Sequence, residues 1–133
     1  MTKFILLLNY DGGVVKEPML NWDPADIKAH LAYYDVLNEE LSASGELVAK
    51  QALAWPEASK IVRSDGRAAP VVTDGPYAEA KEQIAGYEIV DVDSVERAIE
   101  IAARLSAVPG PGGTPTQQPI EVRQVMEDQA TDL

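Results

Sequence analysis

Asp74-Gly75-Pro76-Tyr77-Ala78-Glu79-Ala80-Lys81-Glu82-Gln83-Ile84-Ala85-Gly86-Tyr87-Glu88-Ile89-Val90-Asp91 joins a turn, a charged connector and a strand, and the segments on either side of it read as scaffold. Ile84 to Val92 is the strand, with Gly86 placed for a bulge or a close backbone approach. Downstream, Asp93 followed three residues later by Glu96 reads as a capping box for a helix. The inward face of that helix is expected to carry Val95, Ala98, Ile99, Ala102 and Leu105. Ser106 to Pro119 contains four prolines and three glycines and reads as a loop, either a lid or a free segment. Ile120 to Met126 follows as a last strand.

Upstream of the quoted stretch, Pro70 marks Pro70–Thr73 as an edge strand or a bulge, since proline cannot donate to a ladder. Asp65-Gly66 is a hairpin signal linking it to Lys60–Arg63. Glu46 to Ala54 alternates, with Leu47, Ala49, Gln51 and Leu53 on one side. Before it stands a helix with strong start signals: Asp23 as N-cap, Pro24 at the first helical position and Trp22 set to staple onto Ile27. That helix is expected to run to about Ala43 and to stop at Gly45, with Ile27, Leu31, Tyr34, Leu37 and Leu41 along its apolar face. Residues 3–10 are almost continuously apolar, as in a central strand.

This order predicts an α+β, ferredoxin-like βαββαβ unit with an extra hairpin. The expected boundaries are one domain over 1–126 and a polar tail over 127–133, since 133 residues build one core and not two. Two helices on one side leave the other sheet face bare, and a second copy of the chain is the expected cover, giving a homodimer.

Twenty-two acidic residues against eleven basic ones give a formal charge of −11 without a basic cluster. Nucleic acid and anionic membrane surfaces, which both need a positive patch, are poor partners for such a chain. The apolar N-terminal run is too short for a membrane span and has no cleavage site of a signal peptide. With no cysteine, thiol chemistry and thiolate metal sites are excluded. A cytoplasmic location is the expectation, and neither a metal nor another cofactor is expected: one histidine without cysteine does not build the usual zinc site. G-x-S-x-G, P-loop and dinucleotide-binding motifs are absent from the sequence.

The Asp74-Gly75-Pro76-Tyr77 turn, the connector with Lys81-Glu82 and the Gly86-Tyr87 strand together resemble the signature of the YCII-related family, in its DGPF-domain branch. The order and length of the remaining elements agree, to the closing Ile120–Met126. The resemblance implies a dimeric α+β barrel with two sheets face to face and a pocket between sheet and helices. Ala29-His30-Leu31 is similar to the Ala-His-Leu of shorter relatives, in which a histidine paired with an aspartate is taken as the catalytic pair. That likeness implies His30 and Asp74 as acid–base residues of a cofactor-free lyase or isomerase. A non-catalytic ligand-binding or accessory role is the alternative, since members of this branch are often found beside extracytoplasmic-function sigma factors.

Each candidate also has a structural reading. His30 is the sole side chain that titrates near neutral pH unaided, and it equally fits a histidine at the helix–sheet border with one hydrogen bond. Asp74 would orient an imidazole, or simply close an Asx-turn in which Gly75 takes a positive φ and Pro76 fixes the exit. Glu121 and Arg123 share a strand face, as an ion pair or with Arg123 gripping a substrate carboxylate. Tyr77, Lys81 and Tyr87 complete the expected substrate-binding set, and Tyr10, Tyr34 and Tyr87 also fit as packing residues.

Overall fold

The computed structural model describes residues 1–76 and 83–127. Among them run β1 (Thr2–Asn9), α1 (Pro24–Ala43), β2 (Leu47–Ala52), β3 (Lys60–Arg63), β4 (Val71–Asp74), β5 (Ile84–Val92), α2 (Val95–Ser106) and β6 (Ile120–Gln124). One sheet has the order β2-β5-β1-β6 with every neighbour antiparallel, and β3 and β4 form a separate two-stranded hairpin. This is the strand order of a ferredoxin-like unit with an added hairpin, as expected. No helix among the described residues is long and apolar enough to cross a membrane.

Strand parity decides which side chains meet the helices. Phe4 and Leu6 of β1 stand opposite Val90 and Glu88 of β5, and Leu6 also stands opposite Val122 of β6. Phe4, Leu6, Val90 and Val92 are buried with Leu37 and Leu41 of α1 and with Ala98, Ile101, Ala102 and Leu105 of α2. Each leucine sealed in this way contributes about 1.5–3 kcal/mol of apolar burial. The opposite parity, Ile5, Leu7, Tyr87, Ile89, Glu121 and Arg123, occupies the face away from the helices. β1 is thus central in the sheet, yet among the described residues the helices cover only one of its faces.

Several expectations shift by one or two residues. The cap of α2 is Ser94 and not Asp93: its side chain accepts from the Arg97 amide at 3.2 Å. The inward face of α2 holds Ile101 in place of Ile99, which is 53% exposed together with Val95 at 42%. With Ala98, Ala102 and Leu105 already facing the sheet, position 101 completes the i, i+3, i+4, i+7 set and position 99 lies a step around the helix. In β2 the register slips between Leu47 and Ala49. The extra residue turns Leu47 toward the helices while Ala49 and Gln51 face away, so the alternation read across Glu46–Ala54 is broken.

The start and end of α1 follow the sequence signals. The Asp23 carboxylate accepts from the Ala25 amide at 2.9 Å, Pro24 opens the helix, and Gly45 follows it at φ +80°. Leu37 and Leu41 are buried, but Leu31 is half exposed, because the N-terminal half of α1 overhangs a cleft and not the core. Arg97 holds Glu46 through two hydrogen bonds of 2.8 and 2.9 Å, fastening α2 to the chain entering β2. Arg104 bonds Glu40 at 2.7 Å, and the Tyr33 hydroxyl donates to the Arg104 carbonyl, also at 2.7 Å.

The proline-rich connection after α2 is folded on itself. Pro109 and Pro115 form an isolated bridge, the Gly110 amide donates to the Thr114 carbonyl at 2.7 Å, and Val108 and Thr116 are buried. The Val14 amide donates to the Thr116 carbonyl, and Gln118 Nε2 donates to the Asn9 carbonyl at 2.6 Å, so this connection is tied to the loop that follows β1.

Candidate functional site

A cleft of about 1150 Å³ opens between the N-terminal half of α1, the ends of β2 and β5, and the loops after β1 and α2. Helical spacing brings His30, Tyr34 and Asn38 to its wall at i, i+4 and i+8, about 6 Å apart along the axis at each step. From the sheet come Lys50 and Glu88, which are register partners and share the helix-facing parity. Gly86 also lines the cleft: a Cβ there would meet the Gln51 carbonyl oxygen at 2.8 Å, so this β5 position requires a close backbone approach.

His30 is half-buried, its ring edge-on to Trp22 at 5.3 Å and to Tyr34 at 5.1 Å between centroids. Its Nδ1 lies 2.9 Å from the Pro109 carbonyl oxygen. A carbonyl only accepts, so Nδ1 carries the proton and the neutral ring has its lone pair on Nε2. Desolvation lowers the His30 pKa below its ordinary value, against the opposing effect of the Pro109 hydrogen bond. Below neutral pH the ring therefore stays uncharged for longer than a free imidazole would.

Glu88 is 5% exposed, on the inward-facing side of β5, where the other buried positions are Gly86, Val90 and Val92. Burial pushes its pKa up to about 7, opposed by the nearby Lys50 charge and by a hydrogen bond from Asn38. Its Oε1 is buried without a hydrogen-bond partner among the described residues, as is Asn38 Oδ1. Burial, and then the Glu88 charge, push the Tyr34 hydroxyl up to about 12, so it stays protonated and able to donate. Glu88, Asn38 and Lys50 were not anticipated from the sequence. Their signals were a glutamate on the buried parity of β5 and an asparagine inside the leucine stripe of α1.

The expected site residues do not converge. Tyr87 belongs to the β5 wall of the cleft, but its register partner is Leu7, which sets its side chain on the sheet face away from His30. Asp74 ends β4 on the hairpin, its side chain 83% exposed and paired with Lys60, and it does not line the cleft. Gly75 does not take a positive φ; the Gly75–Pro76 peptide is cis. Arg123 pairs with Glu121 on the face away from the helices. Tyr77 and Lys81 lie outside the described residues. Among the described residues no group of three His, Asp or Glu side chains is placed to hold a metal ion.

The molecule is thus a small sheet-and-helix protein of ferredoxin-like topology with a titratable cleft beside its first helix. Residues 3–120 match the YCII-related domain, and the chain belongs to that family. No curated protein matches it.

Proposed function

We propose that the cleft binds a small organic molecule and moves a proton on it, with His30 as the proton acceptor, in the manner of a cofactor-free isomerase or lyase. The observation that carries this reading is the hydrogen bond from His30 Nδ1 to Pro109, which fixes the tautomer and leaves Nε2 basic. In the step so defined, Nε2 takes a proton from an acidic C–H beside a carbonyl and the ring becomes an imidazolium still bonded to Pro109. It returns that proton at another carbon, giving an isomer, or a leaving group departs from the carbanion, giving an alkene. Tyr34, held protonated, supplies a hydrogen bond to the oxygen where charge develops. Asp74, on the exposed hairpin, has no part in this step.

The aromatic and apolar share of the cleft lining favours a second reading, a non-catalytic ligand-binding protein. The resemblance to the DGPF-domain branch extends that reading to an accessory role beside an extracytoplasmic-function sigma factor. In either role the working unit is a cytoplasmic homodimer, with Ile5, Leu7 and Ile89 of the open sheet face covered by a second copy. Deuterium exchange separates the two readings. Small carbonyl compounds with acidic C–H bonds are incubated with the protein in heavy water, and carbon-bound deuterium is measured by mass spectrometry. Incorporation that is lost in His30→Gln is the expected result. Binding without incorporation in any member of the panel would sink the proton-transfer reading and leave the binding one.

A further inference from the structure

The charges and rings around Glu88 point to a class of ligand. Four carboxyl side chains line the cleft, Asp11, Glu17, Glu57 and Glu88, against the ammonium groups of Lys16 and Lys50. Lys16 already donates to the Gly13 carbonyl at 3.0 Å. Aromatic rings come from two parts of the chain: Tyr10 against Trp55, centroids 5.3 Å apart, and Trp22 with Tyr34 on either side of His30. A buried carboxylate among aromatic faces is the environment that stabilises an organic cation, through charge pairing and cation–π attraction together. An acidic lining alone would not define a site. The second observation is the Glu88 oxygen, buried in the cleft wall without a hydrogen-bond partner among the described residues.

We propose that the cleft takes an organic ammonium ion, its charged nitrogen on Glu88 and its apolar body among the rings of Trp22, Tyr34, Tyr10 and Trp55. This deepens the proposed function and rests on the cleft being the ligand site. The groups facing Glu88 fit such a guest. From α1 come Asn38, which donates to the carboxylate, and Tyr34, which is neutral; from β1 comes the uncharged Leu6; from β2 comes Lys50. Lys50 is the competing cation, but it sits on an exposed position of an edge strand, and Glu88 Oε1 remains unbonded beside it. Because Glu88 titrates at about 7, an ammonium guest that needs it ionised would displace its proton on binding. The affinity then rises about tenfold between pH 6 and pH 8, the change in the ionised fraction of such a group.

Three probes of one shape test the proposal: 2-phenylethylammonium, 2-phenylethanol and 3-phenylpropionate. Binding is followed by amide chemical shifts and by calorimetry in two buffers of different ionisation enthalpy. The ammonium probe is expected to bind most tightly, to shift resonances around His30 and Glu88, to release protons near pH 7 and to bind about tenfold tighter at pH 8 than at pH 6. Glu88→Gln should remove the pH dependence and the preference over the alcohol. Lys50→Gln, at an exposed position that tolerates change, also removes a charge that favours ionised Glu88, so it is compared with the parent above pH 8, where the carboxylate is ionised in both. There it should tighten the ammonium probe by removing its competitor, and weakening would overturn the proposal even if Glu88→Gln failed to fold. Binding of the carboxylate or the alcohol at least as tightly as the ammonium would overturn the cation assignment while leaving the cleft as a ligand site. Silence from all three probes at millimolar concentration would overturn the cation assignment, while the cleft reading would still stand or fall on the deuterium-exchange panel.

Discussion

Replacing Glu88 by glutamine should make the protein more stable at pH 8 and change little near pH 4. A carboxyl moved from 4.5 to about 7 by burial favours its neutral form in the fold by about 3 kcal/mol. Water in the open cleft raises the effective dielectric, so about 1–2 kcal/mol is the expected observable. The folded pKa lies above the unfolded one. The neutral carboxyl therefore contributes its full stability below pH 4.5, loses it as pH rises through about 7, and contributes none above. Glutamine has the same shape, keeps a carbonyl oxygen for Asn38 and never ionises, so it should not show this loss. Thermal unfolding of both proteins by far-ultraviolet circular dichroism across pH 4 to 8 isolates the term, because the other acidic groups titrate alike in both and cancel in the difference. The variant should melt roughly 3–8 °C above the parent at pH 8, converging on it at pH 4. A difference that does not change with pH, or a less stable variant at pH 8, would refute a buried glutamate that ionises at a cost.

Glu46 should show the opposite pH dependence: the Arg97 hydrogen bonds hold its pKa at about 2, so its contribution is present above pH 4.5 and fades as pH falls toward 2. The stability gap between Glu46→Gln and the parent, measured by urea unfolding, should accordingly be open at pH 6 and closed at pH 2. Leu105→Ala, at a fully buried contact of α2 with the sheet, should cost about 2–5 kcal/mol in the same assay. Asp74→Asn should leave the response of the cleft to the ammonium probe unchanged, and a lost response would bring the hairpin carboxylate back into the site. Light scattering at micromolar concentration should give twice the chain mass for the parent and a smaller species for Ile89→Glu on the open sheet face, and a parent of single-chain mass would count against the homodimer.

The sequence made the fold legible because its strongest signals are local. Asp23-Pro24 and Gly45 delimit α1, the apolar run of β1 gives a central strand, and Asp65-Gly66 announces the β3–β4 turn, where Asp65 accepts from the amides of Arg67 and Ala68. Differences of one or two residues arose where tertiary packing chose between near-equivalent local options, as at Ser94, Ile101 and the β2 bulge. The site was harder for a different reason. His30 stood out as the lone histidine, but its partner is a backbone carbonyl 79 residues away, which no side-chain motif encodes. Asp74 drew attention because its turn is distinctive, whereas Glu88 is one acid among twenty-two until the register of β5 shows that it points inward. Burial is what distinguishes it, and burial depends on contacts across the sheet.

The placement of Trp22 and Trp55 has an optical consequence. Both tryptophans of the chain line the cleft, and neither belongs to the buried core. Intrinsic emission excited at the indole band therefore reports the cleft more than the packing of sheet and helices. Trp22 meets the His30 ring edge at 5.3 Å, close enough for an imidazolium to quench it by accepting an excited electron. Acidification should dim the emission with the midpoint of the His30 titration, giving the protein a built-in fluorescent reading of the protonation state of its only histidine.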